Sequence, residues 1–291
     1  MKPTAFMRCI EGVLGAALAC AATSAAAQGF AAAVTPPRFE VTGNAGQTAR
    51  HVVEIINAGA TPATYNVRTA DWSLSEEAAV TFYDTLQPGS CRPWVAIERP
   101  KVSVSAGGRV RYRFEVTPPA GTPAAECRFA LLIEGEEPAM AQMGSFSIPV
   151  SGRIGVIVYV AVGDAAPKLE LIAAETANIN GKPTPSLRVR NTGNAHGRIS
   201  GFLTGTDATG HELEFTPSTF PVLPGETRLL ALGAQDARDQ SVTPLLPVTV
   251  RGTLEWGSVK QEFEHRFEAL VRGSTPATPP PPTSAVTPGR R

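Results

Sequence analysis

Residues 143–162 read MGSFSIPVSGRIGVIVYVAV, and the first half of that run alternates apolar with small polar residues. Phe146, Ile148 and Val150 fall on one face of an extended segment and Ser145, Ser147 and Ser151 on the other, the period of two that a β-strand imposes. Pro149 stands between them and has no N–H to give a neighbouring strand, which places this half at the edge of a sheet. An edge that carries a row of apolar side chains is a template for a strand from another chain. The other reading is an ordinary last strand whose apolar face packs inward, and the pattern alone leaves both open.

Working outward, short alternating runs separated by Gly, Pro and Asn clusters recur along the chain, and the fold class they predict is all-β. The first set of candidate strands is 34–41, 50–57, 63–72, 80–83, 109–117, 127–134 and 145–162. Asn57-Ala58-Gly59, Gln87-Pro88-Gly89 and Ala106-Gly107-Gly108 supply the turn residues between them. A connector, Gly163-Asp164-Ala165-Ala166-Pro167, leads to a second set at 169–173, 186–191, 198–204, 212–215, 227–232, 246–256 and 259–271, about the number a constant-type immunoglobulin sandwich uses. The chain of 291 residues is too long for one such sandwich and suits two in tandem, 28–163 and 164–272. The phrase Ile55-Ile56-Asn57-Ala58-Gly59 returns as Val189-Arg190-Asn191-Thr192-Gly193, which fits two copies of one architecture or arises by chance.

Residues 1–27 read as a cleaved export signal: Lys2 and Arg8 make a basic start, Gly12 to Ala22 an apolar stretch, and Ala25-Ala26-Ala27 a small-residue cleavage site. A lipoprotein signal at Cys20 is the alternative, with Ala17 standing where a larger aliphatic residue is expected. Nothing later reaches the roughly 18 apolar residues of a transmembrane helix. Cleavage leaves Cys91 and Cys127, an even pair that in an exported chain reads as a disulfide contributing about 4 kcal/mol by loop closure; two buried free thiols are the alternative. The formal net charge becomes −1, 24 basic residues against 25 acidic, and no basic stripe calls for nucleic acid. From Gly273 to Arg291 the composition collapses to Gly, Ser, Thr, Ala and Pro, with Pro279 to Pro282 consecutive, and predicts an unfolded tail.

No catalytic pattern emerges, and no metal or cofactor is expected. His51, His196, His211 and His265 lie in separate segments without metal-ligand spacing. There is no Gly-x-Ser-x-Gly elbow, and pairing the cysteines leaves no thiol nucleophile. Gly201, Gly205 and Gly210 have the wrong spacing for a dinucleotide loop and read as turn glycines. Glu134, Glu136 and Glu137 end a strand before Pro138 and read as a solvated loop rather than a cation or acid–base site.

Several segments, in order, resemble the periplasmic chaperones of bacterial pilus assembly, a family with two immunoglobulin-like domains. Val34-Thr35-Pro36-Pro37-Arg38-Phe39 is similar to that family's opening strand with its arginine. Ile55 to Gly59 resembles the second strand and its Asn turn, and Trp94-Val95 to Pro100 followed by Val104-Ser105-Ala106-Gly107 the aromatic and Pro before a later strand. Phe146 to Tyr159 resembles the last strand of the first domain. The likeness covers most of the first domain, while the second matches only as a generic sandwich.

The resemblance implies a periplasmic, non-enzymatic chaperone that lends its last strand to a pilin-like subunit with an incomplete immunoglobulin-like fold, with an outer-membrane usher as a further partner. Phe146, Ile148 and Val150 would be the donor residues, and Arg38 the first of two cations holding the subunit's terminal carboxylate between the domains. At the place of the second cation, a lysine, this chain has Gly155. Arg153 is the cation nearby, though a neighbouring strand position faces the opposite side. One cation in place of two forfeits a charge-assisted hydrogen bond, roughly 1.5 to 3 kcal/mol. The rival readings are a structural or adhesive surface protein with the sandwiches as spacers, and a hydrolase with its site across the domain cleft near His51, His196 and Arg38.

Overall fold

The computed structural model describes residues 30–136, 138–143 and 146–270; the expected signal, the Pro-rich tail, Glu137 and Ser145 lie outside them. The first half holds strands β1 (Ala32–Thr35), β2 (Arg38–Gly43), β3 (Ala49–Asn57), β4 (Ala63–Leu74), β5 (Val80–Tyr83), β6 (Val95–Ile97), β7 (Lys101–Val104), β8 (Arg109–Val116), β9 (Glu126–Gly135), β10 (Ala139–Met143), β11 (Phe146–Val150) and β12 (Arg153–Val162). One sheet runs β1-β3-β8-β6; the sheet facing it runs β2-β12-β9-β4-β5, with β7 also on β4.

Period-two alternation builds this core. In β8 the side chains of Tyr112, Phe114 and Val116 are buried while Arg109, Arg111 and Arg113 are exposed, and β3 sends Val53 and Ile55 inward beside them. They meet Val67, Phe129, Leu131, Ile133, Val156, Val158 and Val160 from the opposite sheet. Each such side chain stabilises the fold by roughly 1.5–3 kcal/mol. The disulfide Cys91–Cys127 forms, with Cα atoms 6.0 Å apart, and ties the loop before β6 to the central strand β9.

The stretch expected as one strand, 34–41, is two. Pro36 and Pro37 offer no N–H to a ladder, so the chain leaves β1, antiparallel to β3, and re-enters as β2, parallel to β12 in the other sheet. The long last strand also divides, at Ser151-Gly152.

The second half holds β13 (Leu169–Ile179), β14 (Lys182–Asn191), β15 (Ser200–Thr206), β16 (Glu212–Pro217), β17 (Thr227–Gln235), β18 (Ser241–Val242), β19 (Val248–Trp256) and β20 (Val259–Phe267). All but β18, which pairs with β17, form one hydrogen-bonded path, β13-β14-β17-β16-β15-β19-β20, folded over a core that includes Leu187, Leu203, Phe215, Leu230, Val250 and Phe267. β17 turns the corner between layers, pairing β14 through Thr227–Ala231 and β16 through Leu232–Gln235. Gly201 and Gly205 lie inside β15 rather than in turns, which corrects the sequence reading. A Cβ on Gly201 would stand 2.5 Å from the carbonyl oxygen of Thr253, and one on Gly205 2.6 Å from that of Thr249, so the close approach of β19 requires them. Gly210, at φ +86°, is the turn glycine.

Candidate partner-binding strand

β9 and β12 pair antiparallel from Ala161 opposite Glu126 to Arg153 opposite Glu134. Beyond the sandwich the same two strands resume as β10 and β11, paired only with each other from Ala139 opposite Val150 to Met143 opposite Phe146. Proline at Pro138 and the Ser151-Gly152 step interrupt the ladder between the two parts. The result is a two-stranded ribbon continuous with the sandwich.

β2 covers the other side of β12 only from Ile157 to Val162. Among the described residues no strand pairs with that side of 146–156, an open edge of roughly 35 Å at strand rise. Phe146 is 73% exposed, Ile148 41% and Val150 45%. The expected apolar row is therefore present on an open edge. Burying all three against a partner would contribute roughly 5–9 kcal/mol before the cost of association.

The outer face of the same sheet carries features the sequence did not announce. Ala70, Ala130 and Leu132 are buried there beneath Trp72, Phe82 and Ile157. Three guanidiniums lie over aromatic rings across this face: Arg153 over Phe82 at 5.5 Å, Arg128 over Trp72 at 5.7 Å and Arg198, from the second sandwich, over Tyr159 at 5.4 Å. The one available signal was β9 itself, apolar without a break from Phe129 to Ile133, as a strand covered on both faces must be.

Gly155 has a physical reason on this face. A Cβ there would stand 2.3 Å from Cζ of Phe82, so the ring of β5 occupies the space a side chain would need. Arg153 stacks on that ring too, which corrects the expectation that it faces away from position 155: residues two apart on a strand share a face. Arg153 also pairs with Glu134 at 3.3 Å.

Glu134 is not a solvated loop residue. It lies next to last in β9 and accepts two hydrogen bonds from Arg68, Nε to Oε2 and an NH2 nitrogen to Oε1, each 3.0 Å. Glu136 pairs with Lys101. Arginine and lysine side chains on β4 and β7, distant in sequence, thus pair with Glu134 and Glu136.

Arg38 opens β2 opposite Ile157, half-exposed, with Nε 3.0 Å from Oε1 of Glu40. The same oxygen takes Arg198 at 2.8 Å, so Arg38 stands where the two sandwiches meet. Burial lifts the Tyr159 hydroxyl above its ordinary pKa, against the pull of Arg198, Arg128 and Arg38. His51 is far from this junction in kind: it faces Phe39 and Phe114 within the first sandwich, its Nε2 has no hydrogen-bond partner, and burial pushes its pKa down. Both ring nitrogens of His196 are engaged, by Glu126 and Arg198. Among the described residues no three His, Cys, Asp or Glu side chains are grouped to hold a metal, and no helix is long and apolar enough to cross a membrane.

No protein-family model matches this sequence, and no curated protein does. Solved structures similar to it include the YadV chaperone, at 12% identity and a TM-score of 0.44 over 81% of this chain and 99% of that one. The E. coli chaperone DraB is 15% identical with a TM-score of 0.44, over 82% and 97% of the two chains. The complex of CsuC with the tip adhesion subunit CsuE, from archaic chaperone-usher Csu pili of Acinetobacter baumannii, is 16% identical at a TM-score of 0.42, over 80% and 97%.

Proposed function

We propose that this protein is a periplasmic, non-catalytic chaperone that holds a pilus-type subunit by strand addition along Phe146–Val150. The observation that carries the reading is the open edge of the ribbon, with Phe146, Ile148 and Val150 exposed in a row and no strand of the chain on that side among the described residues. A subunit whose immunoglobulin-like fold lacks a strand supplies the complement: a groove with unpaired backbone and pockets for alternate side chains. Arg38 lies beyond the far end of this edge, at the junction with the second sandwich, where a terminal carboxylate would have to compete with Glu40 for it. The resemblance of the first domain to pilus-assembly chaperones supports the same partner class.

The test is co-purification from periplasm. Ile148→Asp places a charge in the middle of the apolar row and is expected to lower recovery of a strand-deficient subunit at least tenfold, while the Cys91–Cys127 disulfide and the circular dichroism spectrum stay those of the parent protein. A folded Ile148→Asp that still brings down the subunit in full amount rules the reading out. Recovery of the protein outside the cell with no subunit attached would favour a spacer role.

A further inference from the structure

Between the two sandwiches a histidine makes a set of contacts that only one of its protonation states allows. His196, between β14 and β15, stacks on Tyr159 of β12 with ring centroids 3.8 Å apart. Its side chain is 9% exposed and that of Glu126, on β9, 2%. Nδ1 lies 2.5 Å from Oε2 of Glu126, and the backbone N–H of His196 gives to the same oxygen at 3.1 Å. Nε2 lies 2.6 Å from an NH1 nitrogen of Arg198. A guanidinium has donors only and keeps its proton at any ordinary pH, so Nε2 must accept. The ring proton is then on Nδ1, given to Glu126, and the imidazole is neutral.

Arg198 carries the link onward. Its NH1 nitrogen gives to Glu40 of β2 at 2.8 Å and its Nε to the carbonyl of Thr219 at 3.1 Å. The other charged groups that face the ring are Glu40, with Oε1 3.6 Å from Nε2; Arg38, held by Glu40 at 3.0 Å; and Arg128, 3.8 Å from Oε1 of Glu126. Elsewhere the junction uses groups that do not titrate near neutrality. Asn194 gives its amide to the carbonyl of Ala124, and Arg228, only 3% exposed, gives to the carbonyls of Ser75 and Glu76.

We propose that His196 is a proton-operated latch on the angle between the two sandwiches: neutral, it holds Arg198 in place; protonated, it expels Arg198 and loosens the joint. A proton on Nε2 turns the acceptor of the 2.6 Å contact into a donor facing another donor. Oε1 of Glu40, the oxygen Arg198 already uses, lies 3.6 Å from Nε2, so protonation removes one partner of Arg198 and competes for another. The contacts of Asn194 and Arg228 persist, and the sandwiches pivot rather than part. The latch does not depend on strand addition by the ribbon, so either idea can fail alone.

Spin labels at Arg111→Cys on the first sandwich and Lys260→Cys on the second, both exposed, report the angle as a distance distribution. A narrow distribution at about pH 7.5 should broaden reversibly toward about pH 5. With His196→Gln, which keeps a hydrogen-bonding group and takes no proton, the distribution should be the same at both values. Arg198→Met should be broad already at the higher pH. An unchanged distribution in the parent protein overturns the proposal, and so does a broadening of equal size in His196→Gln. Should the Gln variant not fold, an unchanged distribution in the parent protein still overturns the proposal, and so does an Arg198→Met distribution that stays narrow at the higher pH.

Discussion

In the first sandwich Asn57 closes β3 by giving its amide to the carbonyls of Thr61, Val104 and Ser105 and accepting the N–H of Gly59. In the second, Asn191 closes β14 by giving its amide to the carbonyls of Ala195 and Val222 and accepting the N–H groups of Gly193 and Lys168. Both are almost wholly buried. The Asn-x-Gly phrase that recurs in the sequence is thus one structural device used twice, a side chain that satisfies buried backbone at a corner where no strand can. The ends of the two sheets are not alike. In the second sandwich the path returns on itself, with Thr176 of β13 bonded to the carbonyl of Glu268 just past β20. In the first, β9 and β12 run on into the ribbon and leave an edge open. Shared corners specify the fold, and the difference in edges is where a binding role can reside.

The largest effects are expected at the corners. Asn57→Ala strands the buried carbonyl of Val104 and the part-buried carbonyls of Thr61 and Ser105, Asn191→Ala the buried carbonyls of Ala195 and Val222, and each should cost about 2–4 kcal/mol in urea unfolding. Losses of similar size in both establish the shared device; a negligible loss at Asn191 would reduce the recurring phrase to coincidence. A smaller effect separates the sandwiches by pH. His51 sits only in the first, and burial lowers its pKa below the ordinary value near 6.5. The unfolded chain therefore binds a proton there more readily than the folded one, and the stability present above that value declines as pH falls through and below it. In thermal melts at about pH 8 and about pH 5, His51→Phe, a ring for the place between Phe39 and Phe114, should show a smaller decline than the parent protein. An equal decline would assign the pH dependence elsewhere.

Much of the architecture was legible from side-chain period. The runs 109–117 and 145–162 were legible as strands, because a strand's two sides are written directly into neighbouring positions. The Cys91–Cys127 pair was legible by elimination. What escaped depends on residues that meet only after folding. Glu134 read as loop because Arg68, its partner, is 66 residues away in sequence. Gly201 and Gly205 read as turns because the backbone that requires them belongs to β19. Gly155 read as a missing cation, and only the ring of Phe82 shows why a side chain has no room there. The junction through His196 and Glu126 joins residues 70 apart, neither with a local pattern to mark it.

The most direct measurement of the central claim is backbone hydrogen exchange of the protein alone and in complex with the subunit that co-purifies with it. Strand addition predicts that the amides of 146–156 that face the open edge exchange quickly in the free protein and gain strong protection in the complex, with the second sandwich unchanged. Protection that appears on the second sandwich while 146–156 continue to exchange at their free rate would contradict it.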